Sequence, residues 1–462
     1  MCSKTNDLIV ILSNFWESYM TEHSIHSESV ENISRTLLSN APRRAIIVGI
    51  DLPNNDWPVE EALDELERLA LTAGVSCSDR VIQRLARPQP GTLLGSGKLQ
   101  EIAELVNYYD CDGVIFDLEL TPRQHRNLEN ILEAQVLDRT ALILIIFGQR
   151  AHTHEGRLQV ELAQIEYDLP RLARQWTHLS RQKGSVQQRG EGEKQIEVDR
   201  RLLRRQKVAL EEELEKVRTH RHLHRERRKS AGAPVVALVG YTNAGKSTLL
   251  NALSGAGVLA EDKLFATLDP TTRRIRLTGG QEFLLTDTVG FVQRLPTTLV
   301  AAFRATLEEV AQADLLVHVV DAASPAMQRQ VEAVEQVLGK IGAGGRPVII
   351  ALNKVDLRHG VELPCLTGTA ATLPSVQVSA LQGSGMDALL RCISENLLRQ
   401  FIALDVRVPY DRGDLVALFH KYGVIEHESY EESYVHLCGS LPQNQSGPLL
   451  AFQKKKLAKR QR

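Results

Sequence analysis

Chemistry in this chain is most plainly written in Gly240-Tyr241-Thr242-Asn243-Ala244-Gly245-Lys246-Ser247. The spacing is Gly, four residues, then Gly-Lys-Ser, the pattern of a phosphate-binding loop. Gly240 and Gly245 let the backbone turn tightly and come close to a ligand. Successive N–H groups, with the helix N-terminus beyond them, make an anion cradle. Lys246 has the reach for β- and γ-phosphates, and the Ser247 hydroxyl suits a Mg²⁺ ligand. The apolar, β-branched run from Val235 leads in and the helix-forming run to Leu250 leads out, which is the context the motif requires.

A phosphate loop does not choose its base; the motifs that follow do. Phe265-Ala266-Thr267-Leu268-Asp269-Pro270 falls where a first switch belongs, and Thr267 can complete the Mg²⁺ shell. The strand Phe283-Leu284-Leu285 leads to Asp287-Thr288-Val289-Gly290. Asp287 suits either a ligand of that ion or a partner of its ligands, and the Gly290 N–H can meet a γ-phosphate. Val348 to Leu352 reads as a buried strand ending in Asn353-Lys354-Val355-Asp356. The Asp356 carboxylate can accept from N1–H and the N2 amino group of guanine together, donors that adenine lacks in that arrangement. Ser379-Ala380-Leu381 follows the strand at Val376 to Val378, where a backbone N–H can reach the guanine O6. Together these residues predict a GTP site at the carboxyl ends of parallel strands, with Lys246, Thr267 and Gly290 at the reacting end and Ser247 and Thr267 on the metal.

Two details bear on rate. A Ras-type enzyme carries a water-orienting glutamine just after the DxxG glycine; here that position is Phe291. Hydrolysis is therefore expected to be slow alone and to depend on a partner. Asn243 sits where some GTPases recruit K⁺ as an extra positive group; the plain alternative is a loop-stabilising side chain.

The elements that must position these groups fill 462 residues, enough for roughly three or four domains. With 43% hydrophobic and 24% charged residues the chain reads as globular, and a net charge of −2 argues against a uniformly basic nucleic-acid binder. Cys2, Cys77, Cys111, Cys365, Cys392 and Cys438 form no CxxC pair, so neither a disulfide framework nor a structural zinc knot is expected. No apolar run approaches the ~20 residues of a bilayer span. The expectation is a cytoplasmic monomer, free or peripheral to a membrane.

Residues 1–42 are polar and read as a loose extension or, equally, as a capping helix. In 43–155, the strand Ala45 to Ile50, a helix from Pro58 stopped at Gly74, the strand Val114 to Phe116, a helix capped at Thr121-Pro122 and a strand begun by Val136-Leu137 predict a parallel α/β layer. Leu94-Gly95-Ser96-Gly97-Lys98 reads as a turn before a helix from Leu99, or as a fragment of a phosphate loop.

In 156–232, Leu158, Leu162, Ile165, Leu169 and Leu172 repeat at helical spacing. A second helical pattern begins near Ile196, and the Gly-rich stretch Lys183 to Glu193 between them predicts a flexible hairpin tip. The segment Gly156 to Ser230 holds 19 Lys and Arg against 12 Asp and Glu, a net +7 hidden by the neutral total. That charge, with Trp176, His178, Arg181 and Lys183, suits RNA; a solvated helix face is the plain alternative. The GTPase domain is expected over 233–402 and a small α/β domain over 403–446, with a helix from Gly413 and a strand over Glu426 to Val435. The tail 447–462 carries six basic residues in its last nine, which either grip RNA phosphates or stay solvated.

Longer phrases carry a family resemblance: LQVELAQIEYDLPRL from Leu158 to Leu172, WTHLSRQK from Trp176 to Lys183, DRRLLR from Asp199 to Arg204, and RLPTTLVAAFRATLEE from Arg294 to Glu309, followed by Ala313 to Ala322. Over roughly residues 43–437 the sequence resembles the HflX family of ribosome-associated GTPases. The resemblance implies an N-terminal α/β subdomain, a helical hairpin, a Ras-like P-loop domain with a mostly parallel sheet, and a small C-terminal α/β domain. It also implies binding to the large ribosomal subunit through a hairpin tip reaching rRNA, splitting or rescue of stalled ribosomes, and, in some members, ATP bound by the N-terminal domain. A hydrophobic residue at the position of Phe291 is a trait of the same family. The family's tip reads RGPGETQLETDRR; here Glu191 replaces its proline, adding negative charge where phosphates would be met. Two rival readings stand beside this one: a GTP-dependent switch acting on another RNA or protein, and an ATP-driven RNA remodeller working through the N-terminal domain.

Overall fold

The computed structural model describes residues 41–53, 55, 57–172, 189–230, 234–255, 264–277, 282–294, 304–358, 365–398 and 401–453. The extension over 1–40, the phrase Trp176 to Lys183, residues 295–303 and the basic tail from 454 lie outside them. The chain divides into two compact units, Met1–Glu211 and Glu212–Arg462.

In the first unit, β1 (Arg44–Asp51), β2 (Ser76–Arg84), β3 (Gly113–Phe116) and β4 (Gln135–Asp138) form one sheet in the order β2-β1-β3-β4. Every pairing in it is parallel. Ile46, Ile47 and Val48 in β1 have no exposed surface, as a strand covered on both faces requires. The helix Val59–Thr72 buries Ala62, Leu63, Leu66, Leu69 and Ala70, the stripe expected from the spacing, and Gly74 follows at φ +87°. Thr121 accepts from the Gln124 N–H at 3.3 Å, starting the helix Pro122–Leu132.

Three details differ from the sequence reading. An unforeseen strand, β2, has no apolar run because it is an edge strand with much of its surface exposed. The strand begun by Val136 stops at Asp138, whose carboxylate accepts from the Ala141 N–H at 2.9 Å and caps the helix Arg139–Arg150. The helix expected from Leu99 begins at Ser96, so Gly95 is its N-cap and Ser96-Gly97-Lys98 belong to its first turn, where Lys98 pairs with Glu101 at 2.7 Å.

The helix His154–Asp168 follows, and a long helix runs from Arg189 to Ser230. Lys207 Nζ reaches Glu166 at 2.7 Å, so the two helices lie side by side there. The second helix starts earlier than Ile196, absorbing Arg189 to Glu193 from the expected flexible tip. Glu191, Glu193 and Lys194 are good helix formers, and here they outweigh Gly190 and Gly192.

In the second unit six strands are ordered β10-β9-β8-β5-β7-β6: β5 Val235–Gly240, β6 Thr271–Arg276, β7 Glu282–Asp287, β8 Leu315–Asp321, β9 Val348–Asn353 and β10 Ser375–Gln377. Only β6 runs antiparallel to its neighbour. Val236, Leu238, Phe283, Leu285, Leu315, Val317 and Ile349 form the centre of the core and have no exposed surface. This rigid centre holds the carboxyl ends of β5, β7 and β9 at one edge. A three-stranded antiparallel sheet follows, β11 (Phe401–Pro409), β12 (Val424–Tyr430) and β13 (Tyr434–Pro442), in the order β11-β13-β12. The stretch Glu426 to Val435 thus belongs to two strands of a hairpin rather than to one. The helix Gly413–Tyr422 packs on this sheet, and the helix Gln443–Leu450 continues past residue 446 to bring Leu449 into its core. Among the described residues no helix is long and apolar enough to cross a membrane.

Candidate nucleotide-binding site

β5 ends at Gly240, the loop turns over Tyr241 to Gly245, and the helix Lys246–Ser254 begins at once. The two glycines answer first to the protein around them. Gly240 has φ +152°, and a Cβ there would stand 2.3 Å from the Val319 carbonyl oxygen of β8. At Gly245, φ +93°, it would stand 2.2 Å from Asn353 Nδ2. Neither position has room for a side chain, whether or not a ligand is close.

Around the loop opens a cleft lined by Thr242, Asn243, Gly245, Lys246, Ser247, Thr248, Phe265, Ala266, Thr267, Thr288 and Gly290. The loop, first-switch and DxxG residues expected to meet phosphate therefore share one cleft. Thr248 is an addition, signalled only by following Gly-Lys-Ser directly. Lys246 is buried, and its ammonium rests on the carbonyls of Gly240 (3.3 Å) and Tyr241 (2.9 Å). Burial lowers its pKa from 10.5 to about 8, against the opposing pull of Asp287. A buried lysine held without a hydrogen-bonded carboxylate is ready for an anionic ligand. Gly290 lies against this head: a Cβ there would be 2.9 Å from Lys246 Nζ and 2.8 Å from Thr242.

Three oxygens meet beside the lysine. Ser247 Oγ donates to Asp287 Oδ2 at 2.6 Å, Thr267 Oγ1 donates to the same oxygen at 2.8 Å, and the two hydroxyls are 2.8 Å apart. Asp287 is buried with Oδ1 unpartnered, and burial raises its pKa against the opposing pull of Lys246 and the two hydroxyls. Hard oxygen donors around a desolvated carboxylate fit a Mg²⁺ ion, held by Ser247 and Thr267 with Asp287 beside them.

Elsewhere the structure revises individual roles. The Tyr241 side chain, Ala244, Leu268 and Val289 are buried in protein, so they offer backbone rather than side chains to a ligand. The Tyr241 hydroxyl accepts from the Gln293 N–H at 2.6 Å. Asp269 lies outside the cleft lining. Phe291 is buried, its N–H donates to Gly240 O at 3.1 Å, and its carbonyl accepts from the Thr242 N–H at 2.7 Å. This DxxG-flanking segment is strapped to the phosphate loop, and its side chain has nothing with which to hold a water. Asn243 lines the cleft at φ +59°.

On the base side, Asn353 is a bracket rather than a reader. Its Nδ2 donates to Ala244 O at 2.8 Å and its Oδ1 accepts from the Ala380 N–H at 3.0 Å. The Ser379 N–H donates to Ser384 O at 3.0 Å. Of the backbone N–H groups in Ser379-Ala380-Leu381, one of which was expected to reach the guanine oxygen, those of Ser379 and Ala380 are thus held by protein in this structure. Lys354 sits at φ +64° and pairs with Asp321 at 2.7 Å. Val355 and Asp356 open a short 3₁₀ turn, where the half-exposed Asp356 carboxylate makes no hydrogen bond or ion pair among the described residues. Leu381, in the loop after β10, is 82% exposed.

Fold and site together define a P-loop GTPase, an enzyme that hydrolyses GTP. Residues 60–148 match the family described as "GTP-binding GTPase N-terminal", 150–228 "GTP-binding GTPase Middle Region", and 235–354 "50S ribosome-binding GTPase". A GTPase HflX of Escherichia coli K12 is 46% identical over 394 residues, covering 85% of this chain and 92% of its own. Another, from Lacrimispora saccharolytica, is 42% identical over 405 residues, covering 88% and 95%. The chain belongs to the HflX family of GTPases. Among solved structures, a GTP-binding protein of Sulfolobus solfataricus in complex with GDP is 23% identical, covers 77% of this chain and 98% of its own, and has a TM-score of 0.42. That likeness is too loose to carry an argument.

Proposed function

We propose that this GTPase is a Mg²⁺-dependent switch that docks on the large ribosomal subunit, hydrolyses GTP slowly alone and faster when docked, and serves to split or rescue stalled ribosomes. The observation that carries the reading is the Phe291 strap. A buried phenylalanine, tied by both backbone groups to Gly240 and Thr242, stands where a water-orienting glutamine would be needed. A chain that binds phosphate well but orders its water poorly calls for an outside element. The description "50S ribosome-binding GTPase" attached to the family matching 235–354 supports the large subunit as that element.

In this reading Lys246 leaves the Gly240 and Tyr241 carbonyls for the β- and γ-phosphate oxygens. The N–H groups of the loop hold the β-phosphate, and that of Gly290 meets the γ-phosphate. Ser247 and Thr267, with Asp287 beside them, would hold Mg²⁺, which when bound would neutralise charge on the β- and γ-phosphates. Asp356 reads the N1 and N2 hydrogens of guanine while Leu381 covers the base. Thr267, whose hydroxyl meets Ser247 and Asp287, couples the first switch to the γ-phosphate and so to docking. Asn243 takes a K⁺ ion as an additional positive group beside the phosphates. The family resemblance supports a cytoplasmic, ribosome-bound location and leaves ATP at the N-terminal domain as a separate matter.

The test is GTP turnover with and without purified large subunits, with Lys246→Ala as the blank. Strong stimulation is expected. Full turnover without any partner overturns the Phe291 argument, whereas no response to subunits while GTP binding is intact overturns the ribosomal assignment and favours a different RNA or protein partner.

A further inference from the structure

The outer face of the C-terminal sheet carries a group of ligating side chains that the nucleotide chemistry does not use. Leu404, Val406, Val408, Val435 and Leu437 of β11 and β13 face the core; by alternation, the residues between them face outward. Cys438 is paired in register with Asp405 on one side and His427 on the other, so the three form a row across all three strands. His436 stands two positions along β13 on the same face. The side chains converge: His436 Nε2 is 2.6 Å from Asp405 Oδ1 and 3.4 Å from Cys438 Sγ, and the ligand atoms of these three all lie within 4.8 Å of one another. The His427 ring lies 6.3 Å from that of His436, centroid to centroid.

We propose that Asp405, His436 and Cys438 form a binding site for a Zn²⁺-class transition metal, with His427 swinging in as the fourth ligand, and that the ion pins the three strands together. The donor set selects the metal. Thiolate with imidazole and one carboxylate suits Zn²⁺ and its neighbours, whereas Mg²⁺ and Ca²⁺ take oxygen donors. The spacing suits it too. Bonds of about 2.0–2.3 Å in a tetrahedron set ligand atoms roughly 3.3–3.8 Å apart, so Cys438 and His436 need no change and Asp405 a short retreat. On coordination the Cys438 thiol releases its proton to solvent, and His436 offers Nε2 to the metal instead of to Asp405. A strand-borne, half-buried site of this kind is held by backbone pairing rather than by a loop. A hydrogen-bonded surface row with no ion is the competing description, and it makes the opposite prediction in each measurement below.

The test uses the full chain with excess Mg²⁺ present, titrated with Co²⁺ as a coloured substitute for Zn²⁺. The expected result is a sulfur-to-cobalt charge-transfer band that saturates at a single equivalent, is displaced by Zn²⁺ and is absent in Cys438→Ser. Asp405→Asn and His436→Gln weaken Co²⁺ binding by more than about tenfold, and His427→Gln by a smaller factor. Asp405→Asn is nearly isosteric and guards against a fold that fails outright. Saturating Zn²⁺ raises the unfolding midpoint of the natural chain and not that of Cys438→Ser, while GTP turnover is the same in both. A band that survives Cys438→Ser, one lost in the exposed-cysteine variant Cys365→Ser, or no band at all overturns the proposal.

Discussion

Lys246→Met is expected to stabilise the nucleotide-free protein while abolishing GTP binding. In the folded chain the Lys246 ammonium is buried on two backbone carbonyls, and its pKa falls from 10.5 to about 8. At about 1.4 kcal/mol per pH unit, keeping that charge buried at neutral pH costs the fold about 3 kcal/mol. Methionine keeps the length and removes the charge, but leaves the Gly240 and Tyr241 carbonyls without a donor, about 1 kcal/mol each. The net expectation is a gain of about 1–2 kcal/mol near pH 7. The pH dependence isolates the cause. The unfolded lysine keeps its proton up to 10.5 and the folded one releases it near 8, so between these values the unfolded chain binds more protons. Stability of the natural chain therefore rises with pH across that window, and the variant lacks this rise. Its advantage is full below pH 8 and has vanished by the upper end. The assay is urea unfolding of both proteins in EDTA without nucleotide, followed by far-ultraviolet circular dichroism near pH 7 and near pH 10. A variant less stable by more than about 1 kcal/mol at neutral pH, or a difference that does not change with pH, refutes the reasoning.

Three further outcomes follow from the same site. Gly240→Ala drives a Cβ to 2.3 Å from Val319 O and should lower the urea midpoint by an amount equivalent to about 3 kcal/mol or more, with or without nucleotide. Asn353→Ala strips two buried hydrogen bonds, to Ala244 O and from the Ala380 N–H, and should cost about 2–4 kcal/mol in unfolding experiments and weaken binding of GTP and GDP alike. Asp356→Ala touches a carboxylate with no partner among the described residues. It should leave stability within about 0.5 kcal/mol while reducing GTP affinity more than tenfold by fluorescent-nucleotide titration.

Much of the site was legible because its physics is local. A Gly-Lys-Ser turn between an apolar strand and a helix needs only near neighbours to be recognised, and the alternation of Ile46 to Val48 with the stripe of Leu63, Leu66 and Leu69 announced a parallel layer for the same reason. Edge strand β2 was not legible, since Ser76, Ser78, Asp79, Arg80, Gln83 and Arg84 leave it only the short apolar pair Val81-Ile82. The Arg189 helix start was hidden by Gly190 and Gly192, and the hairpin turn within Glu426 to Val435 by a continuous polar stretch.

What the sequence by itself determined is the inventory: a Gly-Lys-Ser loop between strand and helix, the Ser247 and Thr267 hydroxyls, an Asn-Lys-Val-Asp run after a buried strand, a phenylalanine after the DxxG glycine, and membership of a family. What only the tertiary structure decided is which of these groups touch. Asn353 stands far along the chain from Ala244, yet it brackets that carbonyl to the Ala380 N–H. The Phe291 backbone is tied to Gly240 and Thr242, and Cys438 meets Asp405 from another strand. Such contacts depend on strand order and register, which are settled by packing of the whole sheet rather than by any short run of residues.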